Sequence, residues 1–241
     1  MLIIANGAFK SGSTWLYNIL LELTGFPPPP AEYLNPAWRN PSIAPEQLAP
    51  LLKTLTPTTN YLVKNHFGKP FERDLLLSSP HVRVLDIQRD QRDVVVSAYY
   101  HVQRKEGYAG DFATYYWEQG RTTAQEVMKY HALWAAAQSQ VYVASYEGLH
   151  QDFAAELSGI AAFLSLSPEA DEIERIQRVT ALDSLRERYQ EQDKTQKFFR
   201  KGMIGDWQNH FDQAMLDDLN KIKPPQKSSF LQRLRSRLGG S

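Results

Sequence analysis

The sequence contains no cysteine. Disulfides, thiolate metal sites and a cysteine nucleophile are therefore excluded, although the compartment is not identified by this alone. No apolar run approaches the roughly 20 residues of a membrane span. The apolar start Met1–Ala5 is short and lacks a basic flank, so it reads as a first buried strand rather than a signal peptide. Charge of one sign is also missing: 27 Lys and Arg balance 27 Asp and Glu across 241 residues. Bulk electrostatics thus imply no nucleic-acid partner. No carboxylate cluster suggests a metal. What remains is a soluble, cytoplasmic protein with no transmembrane segment, of a length that suits one α/β domain.

The hydrophobic pattern then orders the chain. Leu2–Ala5 is a continuous apolar run, as expected of a strand buried on both faces. A turn of small residues, Asn6–Ser13, leads into a helix from Thr14 whose Leu16, Ile19, Leu20 and Leu23 share one face. Gly25 and the Pro27–Pro30 run end it. The Pro-containing stretch to about Ala44 reads either as a connector or as one wall of a substrate pocket. A helix is expected over Pro45–Leu55, and strands over Tyr61–Val63, Val82–Ile87 and Val141–Ser145. Between the last two lie a helix capped by Asp90 and another over Phe112–Gln138; the remainder to Lys221 reads as mainly helical. Strands alternating with helices predict a three-layer α/β/α fold with a central parallel sheet, in one domain over residues 1–223. The tail, 224–241, differs. Lys221, Lys223, Lys227, Arg233, Arg235 and Arg237 give the end of the chain positive charge without an acid. It reads as a frayed solvated terminus, with a weak membrane-surface or partner helix as the alternative.

The segment Gly7-Ala8-Phe9-Lys10-Ser11-Gly12-Ser13-Thr14 lies between a strand and a helix. A loop there aims backbone N–H groups and the positive end of a helix dipole at one point, which suits a phosphate. Its two glycines resemble the nucleotide-binding pattern GxxxxGK[ST], with one departure. Ser13 stands where an ATPase or kinase carries lysine, and Lys10 comes three residues earlier. The run Phe9-Lys10-Ser11-Gly12-Ser13-Thr14-Trp15-Leu16 closely resembles the PKSGTTWL signature of the cytosolic-type sulfotransferases that use 3′-phosphoadenosine-5′-phosphosulfate (PAPS). Two more segments resemble that family in the same order. One runs from Arg89 through Ser97 to His101, similar to RDPRDVxVSxYxH; the other, Arg200 to Phe211, is similar to RKGxxGDWKNHF.

The resemblance implies a fold of the P-loop nucleotide-binding type, PAPS as co-substrate and no metal. It implies that Lys10, Ser11, Gly12, Ser13 and Thr14 bind the 5′-phosphosulfate and that Trp15 packs on the adenine. It assigns Arg89, Ser97, Arg200, Lys201 and Gly202 to the 3′-phosphate. Tyr146 and Thr180 match adenine-side positions; Leu182 stands where the family has phenylalanine, and both Tyr146 and Leu182 also read as plain core residues. Arg92 and Asp93 read as structural ion pairs, and Asp206 and Trp207 as holding their loop.

Of the six histidines only His66, in Val63-Lys64-Asn65-His66, directly follows a strand and resembles the family's KxH segment. Strand C-terminal ends line the ligand crevice of a parallel sheet, and an imidazole titrates near operating pH. His66 is thus the expected general base, Lys64 a cation near the sulfate, and Lys10 the donor to the leaving phosphate. A related nucleotide kinase and a non-catalytic nucleotide-binding protein are the competing readings. Tyr33, Trp38, Phe67, Tyr108, Phe112, Tyr115, Tyr116 and Trp117 are the candidates for an aromatic pocket. They suggest a small, partly apolar acceptor with a hydroxyl or amine. Its identity stays open, and so does the oligomeric state, since the family's dimerisation signature is not recognisable after Gln208.

Overall fold

A computed structural model describes residues 1–135, 139–192 and 202–222. Its centre is a four-stranded sheet of order β2-β1-β3-β4, every pair parallel. The strands are β1 (Leu2–Gly7), β2 (Tyr61–Lys64), β3 (Val82–Gln88) and β4 (Val141–Ser145), close to the sequence expectation. The helices in chain order are α1 (Ser13–Thr24), α2 (Leu48–Thr54), α3 (Pro70–Leu77) and α4 (Gln91–Glu106). They continue with α5 (Phe112–Tyr115), α6 (Arg121–Trp134), α7 (Tyr146–Gln151) and α8 (Phe153–Phe163). Last come α9 (Ala170–Val179), α10 (Leu182–Gln192) and α11 (Gln213–Lys221).

All six residues of β1 are buried, as its uninterrupted apolar run requires. Alternation along the strand divides them between two cores. Ile3 and Ala5 join Leu16, Ile19 and Leu20 of α1, with Leu157 and Ile160 of α8. Leu2 and Ile4 face the other way, onto Leu48 and Leu51 of α2, Leu76 of α3 and Trp134 of α6. Helices therefore cover both faces of the sheet. Each fully buried leucine or isoleucine contributes roughly 1.5–3 kcal/mol, so neither face is stable uncovered. A third cluster joins α4, α5 and α11 through Val95, Tyr99, Phe112, Tyr115, Met215 and Leu219.

Local chemistry explains the element ends. Asp90 caps α4 by accepting from the Arg92 N–H at 2.8 Å. Gly25 and Gly107 close α1 and α4 with positive φ. Helix α3 was absent from the sequence reading, although its signals are visible: Pro70 sits in its first turn, and Glu72 accepts from the Gly68 and Lys69 N–H groups. The single helix expected over Phe112–Gln138 is corrected. A π-helical turn, Tyr116–Gly120, separates α5 from α6, and the described helix stops at Trp134. Local periodicity does not register such an insertion.

Candidate active site

The C-terminal ends of β1, β2 and β3 open into one cavity of about 500 Å³. Its floor is the turn between β1 and α1. Lys10 has φ 70° and Gly12 φ 104°, two left-handed residues that tighten the turn, which Ser11 N–H closes on Ala8 O. Gly12 is obligatory on two counts: a Cβ there would lie 2.6 Å from Cδ2 of Tyr146, in a backbone region side chains rarely adopt. No side chain caps α1 and no acid occupies its first turn, so the positive helix end faces the cavity. Ser11 is fully buried beneath, and its Oγ has no hydrogen-bond partner. An unpaired buried hydroxyl costs about 1–3 kcal/mol, and this one lies directly beneath the turn between β1 and α1.

His66 stands just beyond β2. Its Nδ1–H donates to the Gly7 carbonyl at 2.6 Å, leaving Nε2 as acceptor, and Lys64 Nζ lies 2.9 Å from that nitrogen. Burial, with Lys64 and then Lys10 nearby, lowers the imidazole pKa to about 4, although its bond to Gly7 opposes the shift. Burial lowers the Lys64 ammonium to about 8. Asn65 positions this strand end by exchanging two hydrogen bonds with the backbone of Ile43, and Lys64 N–H donates to Pro41 O. These bonds bring Ala37, Trp38, Arg39 and Asn40 onto the cavity wall. The Pro-containing stretch is thus a pocket wall, the second of its two readings.

Across the cavity, Arg89 is almost completely buried and lies over the Tyr146 ring at 4.2 Å. Its Nη2 donates to Met203 O, while its Nε has no partner. Asp93 is buried as well and accepts from the Gly205 and Trp207 N–H groups, pinning the C-terminal loop to α4. Arg92 pairs with Asp90 and lies 3.6 Å over Trp207. Asp206 accepts from Asn209. Arg92, Asp93, Asp206 and Trp207 thus hold structure, with Asp93 bonded chiefly to backbone N–H groups and 4.0 Å from Arg89.

Lys10, Gly12, Ser13, Thr14, Trp15, Lys64, His66, Arg89, Ser97, Tyr146, Leu182 and Gly202 all line this one cavity. Ser11 lies under its floor. Thr180 is fully buried, donates its hydroxyl to Ile176 O at 2.7 Å and is not on the wall. Arg200, Lys201 and the tail 224–241 lie outside the described residues. Among the aromatic candidates, Trp38 reaches the site, its ring 6.1 Å from that of His66. Phe67 is buried in the core, Phe112, Tyr115 and Tyr116 pack in the third cluster, and Trp117 is half exposed away from the wall. The aromatic pocket expected from these residues is corrected: Phe67, Phe112, Tyr115 and Tyr116 lie in cores, Tyr33 and Tyr108 pack against them, and of the candidates Trp38 lines the wall. Sequence reasoning missed Phe9 as a wall residue, and His150, whose ring meets Trp15 at 4.7 Å. It also passed over Arg104 and Lys105 at the end of α4.

A parallel sheet with an open helix N-terminus and basic groups at its strand ends is an arrangement that suits an anionic ligand. Residues 2–228 match the sulfotransferase domain family, and the chain belongs to it. The guinea-pig (Cavia porcellus) 3-beta-hydroxysteroid sulfotransferase is 26% identical over 232 residues, covering 88% of this chain and 79% of that protein. In structure the chain is similar to mouse sulfotransferase SULT7A1 complexed with PAP, at TM-score 0.70 and 17% identity, covering 100% of this chain and 88% of the other. It is also similar to retinol dehydratase in complex with androsterone and the inactive cofactor PAP, at TM-score 0.65 and 19% identity, covering 92% and 78%. Those two likenesses establish the shared fold.

Proposed function

We propose that this sulfotransferase moves the sulfuryl group of PAPS to a hydroxyl of a small acceptor, with His66 as general base and Lys10 at the leaving phosphate. The observation that carries this reading is the convergence of the Lys10–Thr14 turn and the Lys64–His66 pair on one cavity. PAPS supplies the activated sulfuryl group when bound. Lys10, Ser13 and Thr14 on the wall fit its 5′-phosphosulfate end, with Ser11 beneath them, and the unpaired Arg89 Nε fits its 3′-phosphate end beside Ser97 and Gly202. Arg200 and Lys201 complete that end in the proposal. Trp15 and Tyr146, with ring centroids 5.4 Å apart, provide the aromatic surface for the base.

His66 has the tautomer for the task, because its bond to Gly7 leaves Nε2 to take the acceptor proton. Lys64 stands beside that nitrogen, where it neutralises charge on the transferring group once it turns away from the ring. Lys10 donates to the oxygen that becomes negative as the S–O bond breaks. These cations make the proposed transfer independent of Mg²⁺. The relative named for 3-beta-hydroxysteroids supports a compact hydroxylated substrate, and the proposal keeps amines as a second acceptor type. It places the enzyme in the cytoplasm, which cell fractionation checks.

The direct test uses purified protein, PAPS labelled in its sulfuryl group, and a panel of alcohols, phenols and amines with and without EDTA. Labelled product in the presence of EDTA is expected, and PAP should outcompete ATP for the site. Preferential ATP binding that depends on magnesium would replace this reading with a kinase.

A further inference from the structure

Helix α4 carries one line of side chains along the cavity. Ser97, His101 and Lys105 follow each other at intervals of four, with Arg104 beside the last, and all four line the wall. Residues so spaced share a helix face, and Lys105 stands about 12 Å along the axis from Ser97 at ~1.5 Å per residue. The line therefore begins at the proposed 3′-phosphate position and ends somewhere else. His101 shows where: its ring packs edge-on to Phe9 at 5.0 Å, and Phe9 packs edge-on to His66 at 6.2 Å. Arg104 and Lys105 thus sit beyond the reacting centre, on the side that Phe9 and His101 share.

The field there is positive. Burial, with Lys10, Arg104 and Lys105 close by, lowers the His101 pKa to about 4. No aspartate or glutamate lines the cavity among the described residues, and Glu106, next in sequence, is not on its wall. The ligand phosphates already have Arg89 and the α1 terminus, with Lys10 between that end and His101. Arg104 and Lys105 are exposed at the mouth, where a bound acceptor reaches them without itself becoming fully buried.

We propose that Arg104 and Lys105 select an acceptor that carries an anionic group, a carboxylate or phosphate, on the far side of an apolar body from its reacting hydroxyl. This rests on the sulfotransferase reading above and names its substrate class. Phe9 and Trp38 cover the apolar body, His66 meets the hydroxyl, and the two cations meet the anion. The transfer balances without a further reactant: the acceptor O–H bond breaks, its proton goes to His66, the new O–S bond forms, and PAP leaves with the S–O electron pair.

The test compares matched acceptors that differ only in charge, para-hydroxyphenylpropionate with its amide and omega-hydroxyoctanoate with its amide, in the wild type and in the Arg104→Gln/Lys105→Gln double variant. Both substituted side chains are exposed, so the fold tolerates the change. The wild type should favour each acid over its amide in kcat/KM by about fivefold, the scale of two partly solvated charge contacts. The double variant should bring that ratio to about one. A wild-type preference for the amides overturns the inference and leaves sulfuryl transfer standing. Equal losses for acid and amide, with a weaker Kd for PAP, overturn it by assigning both cations to the nucleotide. No turnover of any acceptor by protein that binds PAP overturns both readings.

Discussion

Lys64 Nζ lies 2.9 Å from His66 Nε2, so the nitrogen proposed to take the acceptor proton already faces an ammonium donor. The pair is coupled in a useful direction. A negative group drawn to Lys64 removes its hydrogen bond to the imidazole and offsets the charges that depress the ring. Ligand binding should therefore raise the basicity of His66 at the moment it is needed.

A pH profile reads this directly. The free enzyme requires neutral His66 and charged Lys64, whose pKa values are lowered to about 4 and about 8. Neutral imidazole is lost as pH falls through the first value, and the ammonium is lost as pH rises through the second. The expected kcat/KM profile is a bell with limbs near those values, and kcat should show its acid limb at higher pH. A single acid limb at the ordinary histidine pKa in both profiles would contradict the coupling.

His66→Ala should lower kcat by about two to four orders of magnitude, the usual contribution of a positioned base. PAP affinity should change little, because the proposed phosphate contacts lie on other elements. Single-turnover assays and calorimetry on the folded variant separate the two effects. Near-normal turnover would remove His66 from the chemistry.

Arg89→Ala should act on binding instead. A charged hydrogen bond contributes about 1.5–3 kcal/mol, so Kd for PAP should rise roughly 10- to 100-fold. The loop at Met203 loses one tether as well, while Asp93 retains its bonds to Gly205 and Trp207. Titration with PAP and with desphospho-PAP, which lacks the 3′-phosphate, supplies the control. If both ligands weaken equally, the 3′-phosphate assignment fails.

Gly12→Ala combines backbone strain with a clash against Tyr146. The strain alone is worth about 1–3 kcal/mol. Displacing Tyr146 also disturbs the ring under Arg89 and its hydroxyl bond to the Gly202 carbonyl. Urea unfolding should show reduced stability, and PAP binding should weaken at least tenfold. A variant indistinguishable from wild type would mean that the turn has another conformation.

Much of the molecule was legible along the chain because its signals are local. A continuous apolar run marks β1, Asp90 marks the start of α4, and Gly25 the end of α1. The Lys10–Thr14 turn stood out because the short run Phe9–Leu16 at a strand-to-helix junction resembles a family signature. Rings gave no such warning. Phe112 and Tyr115 look like pocket residues by type, yet the helices around them take them into a core, whereas Trp38 reaches the site from a stretch whose course depends on distant bonds to Lys64 and Asn65.

By itself the sequence determined the four strands and most of the helices, and it offered the Lys10–Thr14 turn and His66 as site candidates, since each depends on neighbours in the chain or on a short motif. Tertiary structure decided what Lys64 touches, which aromatic residues border the reacting centre, and that Arg104 and Lys105 share a wall with Lys10. Those relations join residues brought together by parallel pairing of β1, β2 and β3 and by packing of helices across them. The physical reason is that side-chain chemistry is written locally, whereas the electrostatic field at a site sums over every charge the fold places around it.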